Sequence, residues 1–517
     1  MDNASTKTVT LSSRGVTFED VIAVARFRAQ VVLSNDAISA MDFSRKFIED
    51  YAAGGIPVYG VSTGFGALAN RHIDIKDRVQ LQKSLIRSHA AGVGPAVEVE
   101  VVRALMFLRV KTMASGRTGV RVKLAQQYID FLNAGITPVV PEFGSLGCSG
   151  DLAPLSHCAL AMMGEGRVFD ASGLEVDSLP AIHEAGMEPI QLEAKEGLAL
   201  INGTDGMLGM LIMAISDLRE LSCVADVTTA MSIEGLLGTD KVFAPELHFP
   251  LRPQVGQARS ASNIFAMLQG SGIVASHAEN DTRVQDAYSL RCAPQVNGAF
   301  RDTIDYASTI ASRELEATID NPVVLPDGRV QSNGNFHGAP VAYVLDFLAI
   351  AATDLGSMSE RRTDRALDPR RSEGLPPFLA DDPGVDSGLM IAQYTQAGLV
   401  SENKRLASPA SVDSIPSSAM QEDHVSMGWS AARKLRKVVD NLSRILAIEL
   451  VTSARAIELR KGLTPSLATA SVIAELRKTV AGPGPDRFLS PELEAADRLV
   501  KSGAVSSAAR KVVSELA

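Results

Sequence analysis

The sequence has few aromatic residues, few cysteines and no long uninterrupted hydrophobic run. Aromatic residues make up 5% of the 517 residues while hydrophobic residues make up 46%, which favours close helix–helix packing over an aromatic-rich β-sandwich. The four cysteines lie far apart and without metal-ligand spacing, at Cys148, Cys158, Cys223 and Cys292. They therefore predict neither a disulfide framework nor a metal site, and they favour a reducing, cytoplasmic setting.

Charge and hydropathy exclude two further classes of protein. The net charge is −10 and no block of lysine and arginine stands out, so a nucleic-acid partner is not expected. The N-terminus is polar and no apolar segment follows it. The longest apolar runs, 207–216 and 342–352, are shorter than the roughly 20 residues that span a bilayer. We expect neither secretion nor a membrane span.

Helical periodicity dominates the chain. Thr17, with an acidic residue three positions later, is typical of an N-cap and predicts the first helix. Pro95 is expected at the first position of a helix over 95–113. Gly135 is expected to end a further helix over 122–133. The N-terminal part of the chain is therefore predicted to be mostly helical.

Longer helices are predicted after residue 202. They cover 204–237, 297–320, 339–367, 385–406 and 421–459. Helices of this length need apolar partners along their whole length, within the chain or from identical subunits. The clearest strand signal is a hairpin around Asp327-Gly328. We predict a mainly α fold in which a long-helix bundle over 201–517 follows a smaller, mostly helical domain over 1–200.

The segment Cys148-Ser149-Gly150 is the most informative in the chain, because glycine adopts strained dihedrals that other residues resist. If the backbone nitrogen of Gly150 attacks the carbonyl carbon of Cys148, a five-membered ring closes. Loss of water from Ser149 then leaves an exocyclic methylidene, an electrophile that no natural side chain supplies. Taken alone, these three residues are more typical of an ordinary turn.

Several other polar clusters occur in glycine-rich or helix-end contexts, where sites are often built. A flexible loop, a structural histidine, a helix cap or a surface ion pair would explain each of them alone. Their functional significance lies in their joint occurrence along the chain. Their key members are Tyr59, His89, Asn202, Gln285, Tyr288, Arg291, Asn335, Phe336 and Glu422.

With these residues in this order, the sequence resembles the aromatic amino-acid ammonia-lyases over about residues 16–462. The resemblance implies the ammonia-lyase and fumarase type of long-helix fold. It also implies that Cys148, Ser149 and Gly150 cyclise autocatalytically to 4-methylidene-imidazol-5-one (MIO), the only cofactor needed. The family has alanine at position 148, a mild departure because ring closure uses only the backbone of that residue. A cytoplasmic homotetramer with active sites shared between subunits is implied as well.

Glu422 indicates histidine as the substrate within that family, whereas His89 only excludes a purely apolar pocket, because tyrosine-specific relatives also have a histidine there. His89 stands where phenylalanine-specific relatives carry an apolar pair, and Glu422 stands where the histidine enzymes place a glutamate that binds the imidazole. A buried carboxylate facing a phenyl ring would be left unpaired, so Glu422 rejects phenylalanine as well as accepting histidine. The resemblance therefore implies non-oxidative elimination of ammonia from L-histidine, which gives trans-urocanate.

The resemblance also implies a role for each residue. Tyr59 is the base that removes the β-proton, and Arg291 holds the substrate carboxylate beside Asn202. Tyr288 and Gln285 orient the amine or support the MIO ring. The remaining members bind the imidazole or pack near the ring: His89, Glu422, Asn335 and Phe336.

Other functions remain open at this point. A phenylalanine or tyrosine ammonia-lyase, or an MIO-dependent aminomutase, would share most of these residues. A fumarase-type lyase would have a flexible serine loop similar to Ser417-Ser418, but its lysine-bearing continuation is missing. A serine hydrolase using Ser149 and His157 would need a glycine where Asp151 stands. A catalytically dead scaffold would be expected to have lost these polar residues.

Overall fold

The computed structural model describes residues 7–53, 63–64, 71, 73–279, 281 and 283–517. Helices account for 59% of the structure, which confirms the predicted mainly α fold class. The strands of the described residues are short and form small sheets of two or three strands.

The chain divides into two compact units. The first contains Met1–Met213, Ser308–Leu345 and Pro409–Arg433, and the second contains Ala214–Ala307, Asp346–Ser408 and Lys434–Ala517. The predicted division into 1–200 and 201–517 stays a prediction.

In the first unit, short helices surround one that is buried on every side. This buried helix is α4, in which every residue from Val101 to Ala114 is buried. The helices up to residue 201 are α1 (Phe18–Phe27), α2 (Asn35–Ala53), α3 (Arg78–His89), α4 (Val99–Ala114), α5 (Val122–Ala134), α6 (Leu152–Met162), α7 (Ser178–Glu184) and α8 (Glu196–Ile201).

Within the described residues, four small sheets accompany these helices. Strands β1 and β2 are parallel, whereas the pairs β3–β5, β4–β6, β6–β7 and β8–β9 are antiparallel. The strands are β1 (Thr8–Leu11), β2 (Gln30–Leu33), β3 (Val93–Ala96), β4 (Thr137–Pro138), β5 (Pro141–Phe143), β6 (Arg167–Phe169), β7 (Glu175–Asp177), β8 (Val323–Val324) and β9 (Val330–Gln331).

The helices after residue 202 range from four to 31 residues. They are α9 (Asp205–Gly235), α10 (Val255–Leu268), α11 (Gly272–Ala275), α12 (Tyr288–Arg291), α13 (Ala293–Glu316), α14 (Ala339–Leu367), α15 (Met390–Leu406), α16 (Gly428–Glu458), α17 (Leu467–Leu476), α18 (Ser490–Lys501) and α19 (Ala504–Arg510). One face of α16 is apolar and buried, and it includes Leu435, Leu442 and Leu446. The stretches Glu196–Gly235 and Ala339–Leu367 are long and apolar enough to cross a membrane, but the apolar window of the first is entirely buried, as in a core helix.

Several local predictions are confirmed. The Thr17 hydroxyl accepts the backbone N–H of Asp20, and the Asp20 carboxylate accepts the N–H of Thr17, so both halves of a capping box are present. Gly135 ends α5 with a φ of 75°, a left-handed conformation that favours glycine. The predicted hairpin forms from β8 and β9. Short-range capping and turn chemistry thus decided these positions.

Four helix starts were predicted wrongly. Two are displaced along the chain, because α13 begins at Ala293 rather than at residue 297 and α15 at Met390 rather than at residue 385.

The other two are those of α4 and α16. Pro95 lies in β3 rather than at the start of a helix, and α4 begins at Val99. Pairing of β3 with β5 holds this segment extended. The last long helix begins at Gly428 and not near residue 421, because Met427 has a φ of 53° that a right-handed helix cannot accommodate. Glu422 therefore lies in a loop.

Candidate active site

A cavity of about 640 Å³ in the first unit brings four predicted site residues together: His89, Ser149, Asn202 and Glu422. They come from the end of α3, the loop before α6, the segment after α8 and the loop before α16. Further side chains complete the wall, among them Arg71, Leu85, Leu198, Ile201, Asn321 and Ser418. Residues far apart in the sequence therefore share one cavity.

The loop that carries Ser149 is fixed by the fully buried carboxylate of Asp151. One carboxylate oxygen accepts the hydroxyl of Ser145 at 3.0 Å, and the other accepts the N–H groups of Gly206 and Met207, both at 2.9 Å. Burial raises the pKa of Asp151 to about 7. Because these two N–H groups lie in the first turn of α9, Asp151 ties the loop to the start of that helix.

Two glycines in this loop are required by close backbone approach. Gly150 has a φ of 84°, and a Cβ there would collide with the backbone of Gly203. Gly147 has a φ of 62°, and a Cβ there would collide with the Ser426 hydroxyl. That hydroxyl instead donates to the Gly147 carbonyl at 2.9 Å. Only glycine fits either position.

The Glu422 carboxylate faces the cavity between two serine hydroxyls. Ser149 donates to one oxygen at 3.2 Å and Ser417 donates to the other at 2.9 Å. The turn between Ser417 and Glu422 is strained, since Ser418, Ala419 and Met420 all have a φ between 51° and 68°. Each non-glycine residue in this conformation costs roughly 1–2 kcal/mol, and strain of this kind is retained where surroundings hold a site.

Burial keeps two titratable groups of this site neutral. It lowers the pKa of His89, although the backbone of Leu85 and the charge of Glu422 oppose this shift. It also raises the pKa of the Cys148 thiol to about 12, with a further contribution from Glu422. His89 therefore presents a neutral imidazole at neutral pH, and Cys148 stays a thiol.

The Asn202 side chain is hydrogen-bonded through one of its two polar atoms. Its Nδ2 donates to the backbone carbonyl of Asn321 at 3.0 Å. Its backbone carbonyl accepts from Arg109 at 2.8 Å. The Oδ1 atom is buried and has no hydrogen-bond partner among the described residues, so it is available to a donor group on a ligand.

The other predicted site residues lie elsewhere. Gln285 and Tyr288 line a separate cavity of about 300 Å³ in the second unit. There the Arg291 guanidinium lies 4.6 Å from the centre of the Tyr288 ring, and its Nε donates to the backbone carbonyl of Asp286.

Three predicted residues remain. Asn335 and Phe336 lie in the loop between β9 and α14, where the Asn335 N–H donates to Asn333. They are not among the residues that line the cavity. Tyr59 lies outside the described residues.

Some residues of this site were missed in the sequence. Asp151 directly precedes the apolar pattern of α6, a signal for a helix start that does not reveal its contacts with α9. Ser417 was noted only for its likeness to a fumarase-type serine loop, and Asn321 carries no sequence signal. Ser417 donates to the Glu422 carboxylate, and the backbone carbonyl of Asn321 accepts from the Asn202 amide. His157 accepts the backbone N–H of Gly92 through Nε2 at 3.1 Å, which commits that nitrogen to the backbone.

Comparison with known proteins is consistent with these features. The family profile described as aromatic amino acid lyase matches residues 16–478. The histidine ammonia-lyase of Streptomyces avermitilis is 65% identical over 514 residues, which cover 99% of this chain and 100% of that protein. The histidine ammonia-lyase of Anaeromyxobacter dehalogenans is 46% identical over 96% of this chain and 99% of that protein.

Solved structures similar to this chain include an aminomutase and an ammonia-lyase. The tyrosine aminomutase of Streptomyces globisporus superimposes with a TM-score of 0.92 at 37% identity, and the alignment covers 98% of each chain. The histidine ammonia-lyase of Trypanosoma cruzi superimposes with a TM-score of 0.90 at 39% identity, over 98% of this chain and 95% of that one.

Proposed function

The chain belongs to the aromatic amino acid lyase family, and we propose that it is a histidine ammonia-lyase that converts L-histidine to trans-urocanate and ammonia. One observation carries the choice of substrate: His89 and Glu422 lie in the same cavity as Ser149. A carboxylate and a neutral imidazole at this place offer polar partners to both nitrogens of a histidine side chain.

The segment around Ser149 fits the cyclised cofactor that this family uses. Gly150 lies against Gly203 so closely that no side chain can be present, and the buried Asp151 fixes the loop from behind. Formed from Cys148, Ser149 and Gly150, MIO would supply an electrophilic methylidene that makes the substrate amine a better leaving group.

Recognition of the imidazole follows from the surroundings of Glu422. Ser149 and Ser417 each donate to one of its oxygens, and the Ser149 hydroxyl would leave as water when MIO forms. An imidazole N–H then supplies the donor for the freed oxygen. A phenyl ring would leave that oxygen without a partner, at a cost of about 1–3 kcal/mol. Glu422 therefore selects histidine over phenylalanine.

The remaining roles follow the family pattern. We assign β-proton removal to Tyr59, carboxylate binding to Arg291 beside Asn202, and orientation of the amine or support of the ring to Gln285 and Tyr288. Asn335 and Phe336 complete the substrate pocket. We also propose a cytoplasmic homotetramer in which several copies build each active site. Support comes from Tyr288, whose side chain is 69% exposed on a single copy.

The test is incubation of the purified protein with L-histidine, L-tyrosine and L-phenylalanine separately. We expect the ultraviolet absorbance of urocanate, and ammonia in equal amount, from L-histidine alone. A cinnamate-type product from L-phenylalanine or L-tyrosine would contradict the substrate assignment. A β-amino acid without net release of ammonia would identify an aminomutase instead.

A further inference from the structure

Lys195 is a buried cation in a strained backbone conformation directly before α8. Its side chain has no exposed surface, and its φ of 71° lies in the left-handed region. A non-glycine residue pays a conformational cost there. Such strain persists only where surrounding contacts hold it, and it clusters at functional sites.

The contact that holds Lys195 is an ion pair with Asp320. The ammonium lies 2.5 Å from the carboxylate, and neither side chain has exposed surface. Burial lowers the pKa of Lys195, and the charge of Asp320 opposes this shift. A buried pair of this kind adds little stability compared with apolar residues of similar volume. Stability alone therefore does not explain why both charges are present.

The pair is connected to the cavity through two asparagines. The second oxygen of Asp320 accepts the backbone N–H of Asn321 at 2.8 Å. The backbone carbonyl of Asn321 accepts Nδ2 of Asn202 at 3.0 Å. Asn333 closes the network, because it donates to the Asp320 carbonyl and its N–H donates to the Asn321 side chain, both at 3.0 Å.

This network fixes which end of the Asn202 amide faces the cavity. The Asn321 carbonyl can only accept, so Nδ2 must point toward it. The carbonyl end, Oδ1, is then left without a partner among the described residues. In this orientation Oδ1 can accept a hydrogen bond from an N–H group of the substrate but cannot donate one to its carboxylate. Rotation of the amide by 180° would instead place Nδ2 toward the cavity, where it would donate to the substrate carboxylate.

We propose that Lys195 and Asp320 are positioning residues that hold the Asn202 amide with Oδ1 toward an N–H donor of the substrate. This inference rests on the proposed function. Removal of the Lys195 charge leaves the Asp320 carboxylate buried and unpaired. That carboxylate must then take up a proton or change its orientation. Either change weakens its hydrogen bond with the Asn321 N–H, so the Asn321 carbonyl no longer holds the Asn202 amide in place.

The test compares Lys195→Met, Asp320→Asn and the double variant by thermal unfolding and by steady-state kinetics with L-histidine. We expect each single variant to raise KM by at least about tenfold while kcat changes by less than about threefold. The double variant leaves no unpaired charge, so its melting temperature returns toward that of the wild type while KM stays high. A merely structural pair predicts that KM recovers together with melting temperature, which would overturn the proposal.

Arg103→Met provides the matched control. Arg103 is also buried in the first unit, but its guanidinium donates only to the backbone carbonyls of Val24 and Leu132, away from the site. We expect this variant to lose thermal stability without a change in KM. If Lys195→Met does not fold, Asp320→Asn carries the test alone, and an unchanged KM in that variant overturns the proposal.

A crystal structure of the double variant gives a readout independent of activity. The proposal predicts that the Asn202 side chain turns or becomes disordered, and an unmoved amide contradicts it. Failure of the proposed function is recognised separately, because the wild type would then form no urocanate. The same KM comparison is in that case made with the amino acid that the wild type consumes.

Discussion

The hydroxyl of Ser149 donates a hydrogen bond to the Glu422 carboxylate at 3.2 Å. The residue from which the electrophile is proposed to form therefore faces the residue proposed to select the substrate. Because a histidine side chain is short, an imidazole held by Glu422 keeps its α-amino group close to position 149. The Ser149 hydroxyl leaves as water when the methylidene forms, and this frees the Glu422 oxygen that it contacts for an imidazole N–H.

Replacement of Ser149 tests the electrophile. Ser149→Ala cannot lose the water that creates a methylidene, so we expect no detectable urocanate from L-histidine. The helical fold should be kept, because Ser149 makes one side-chain contact while Asp151 and the two glycines hold the loop. Circular dichroism and intact mass check the variant, and the wild type should weigh less than its sequence by the two waters lost. Wild-type turnover in Ser149→Ala would contradict the assignment.

The second prediction concerns Glu422→Gln. The amide keeps one oxygen for a serine hydroxyl but replaces the other acceptor with a donor, which opposes an imidazole N–H. We expect kcat/KM for L-histidine to fall about 10- to 100-fold, equivalent to roughly 1.4–2.7 kcal/mol. The melting temperature should hardly change. Glu402→Gln, at a partly exposed glutamate in α15, is the control and should retain wild-type kinetics; equal losses in both variants would remove Glu422 from substrate recognition.

Asp151 gives a prediction for the pH dependence of stability. Burial raises its pKa in the folded state to about 7 from the ordinary value of 3.8, so the unfolded chain releases this proton first. The contribution of the group to stability is therefore greatest below pH 3.8 and is lost as the pH rises toward 7. Asp151→Asn does not titrate. The melting temperature of the wild type minus that of Asp151→Asn should fall between about pH 4 and pH 7 and level off above that, and a constant difference would show that Asp151 does not titrate in this range.

Local sequence chemistry predicted the parts of the fold that depend on neighbouring residues. Thr17 with Asp20 and Gly135 at the end of α5 needed only short-range capping rules. Pro95 fits the first turn of a helix equally well by those rules, yet pairing of β3 with β5, more than 40 residues later in the chain, decided its conformation. Such pairing leaves no local signal.

Like the fold, the candidate site was only partly predictable from the sequence. Asn335 and Phe336 are not among the residues that line the cavity, whereas His89, Ser149, Asn202 and Glu422 share it. The residues that hold them were not predicted. Lys195 is a single lysine before a helix in the sequence, and only the fold shows that its partner is Asp320, at a separation of 125 residues. Positioning contacts depend on tertiary structure, which one sequence does not display.

The fourth prediction tests whether active sites are shared between copies. Ser149 and Glu422 bind each other within one copy, whereas Arg291 lies in the second unit. If another copy supplies Arg291 to the cavity of Ser149, two inactive variants can complement each other. Ser149→Ala and Arg291→Met, co-expressed with different tags and purified through both, should regain up to about a quarter of wild-type activity by random assortment.

A second mixture serves as the control for complementation. Ser149→Ala combined with Glu422→Gln should gain nothing, because a copy with intact Ser149 always carries the altered Glu422 beside it. Light scattering of the purified mixtures should give the mass of a tetramer. Recovery in the first mixture and none in the second would require a site built from more than one copy. Equal activity in both mixtures, after purification through both tags, would mean that each copy supplies its own Arg291.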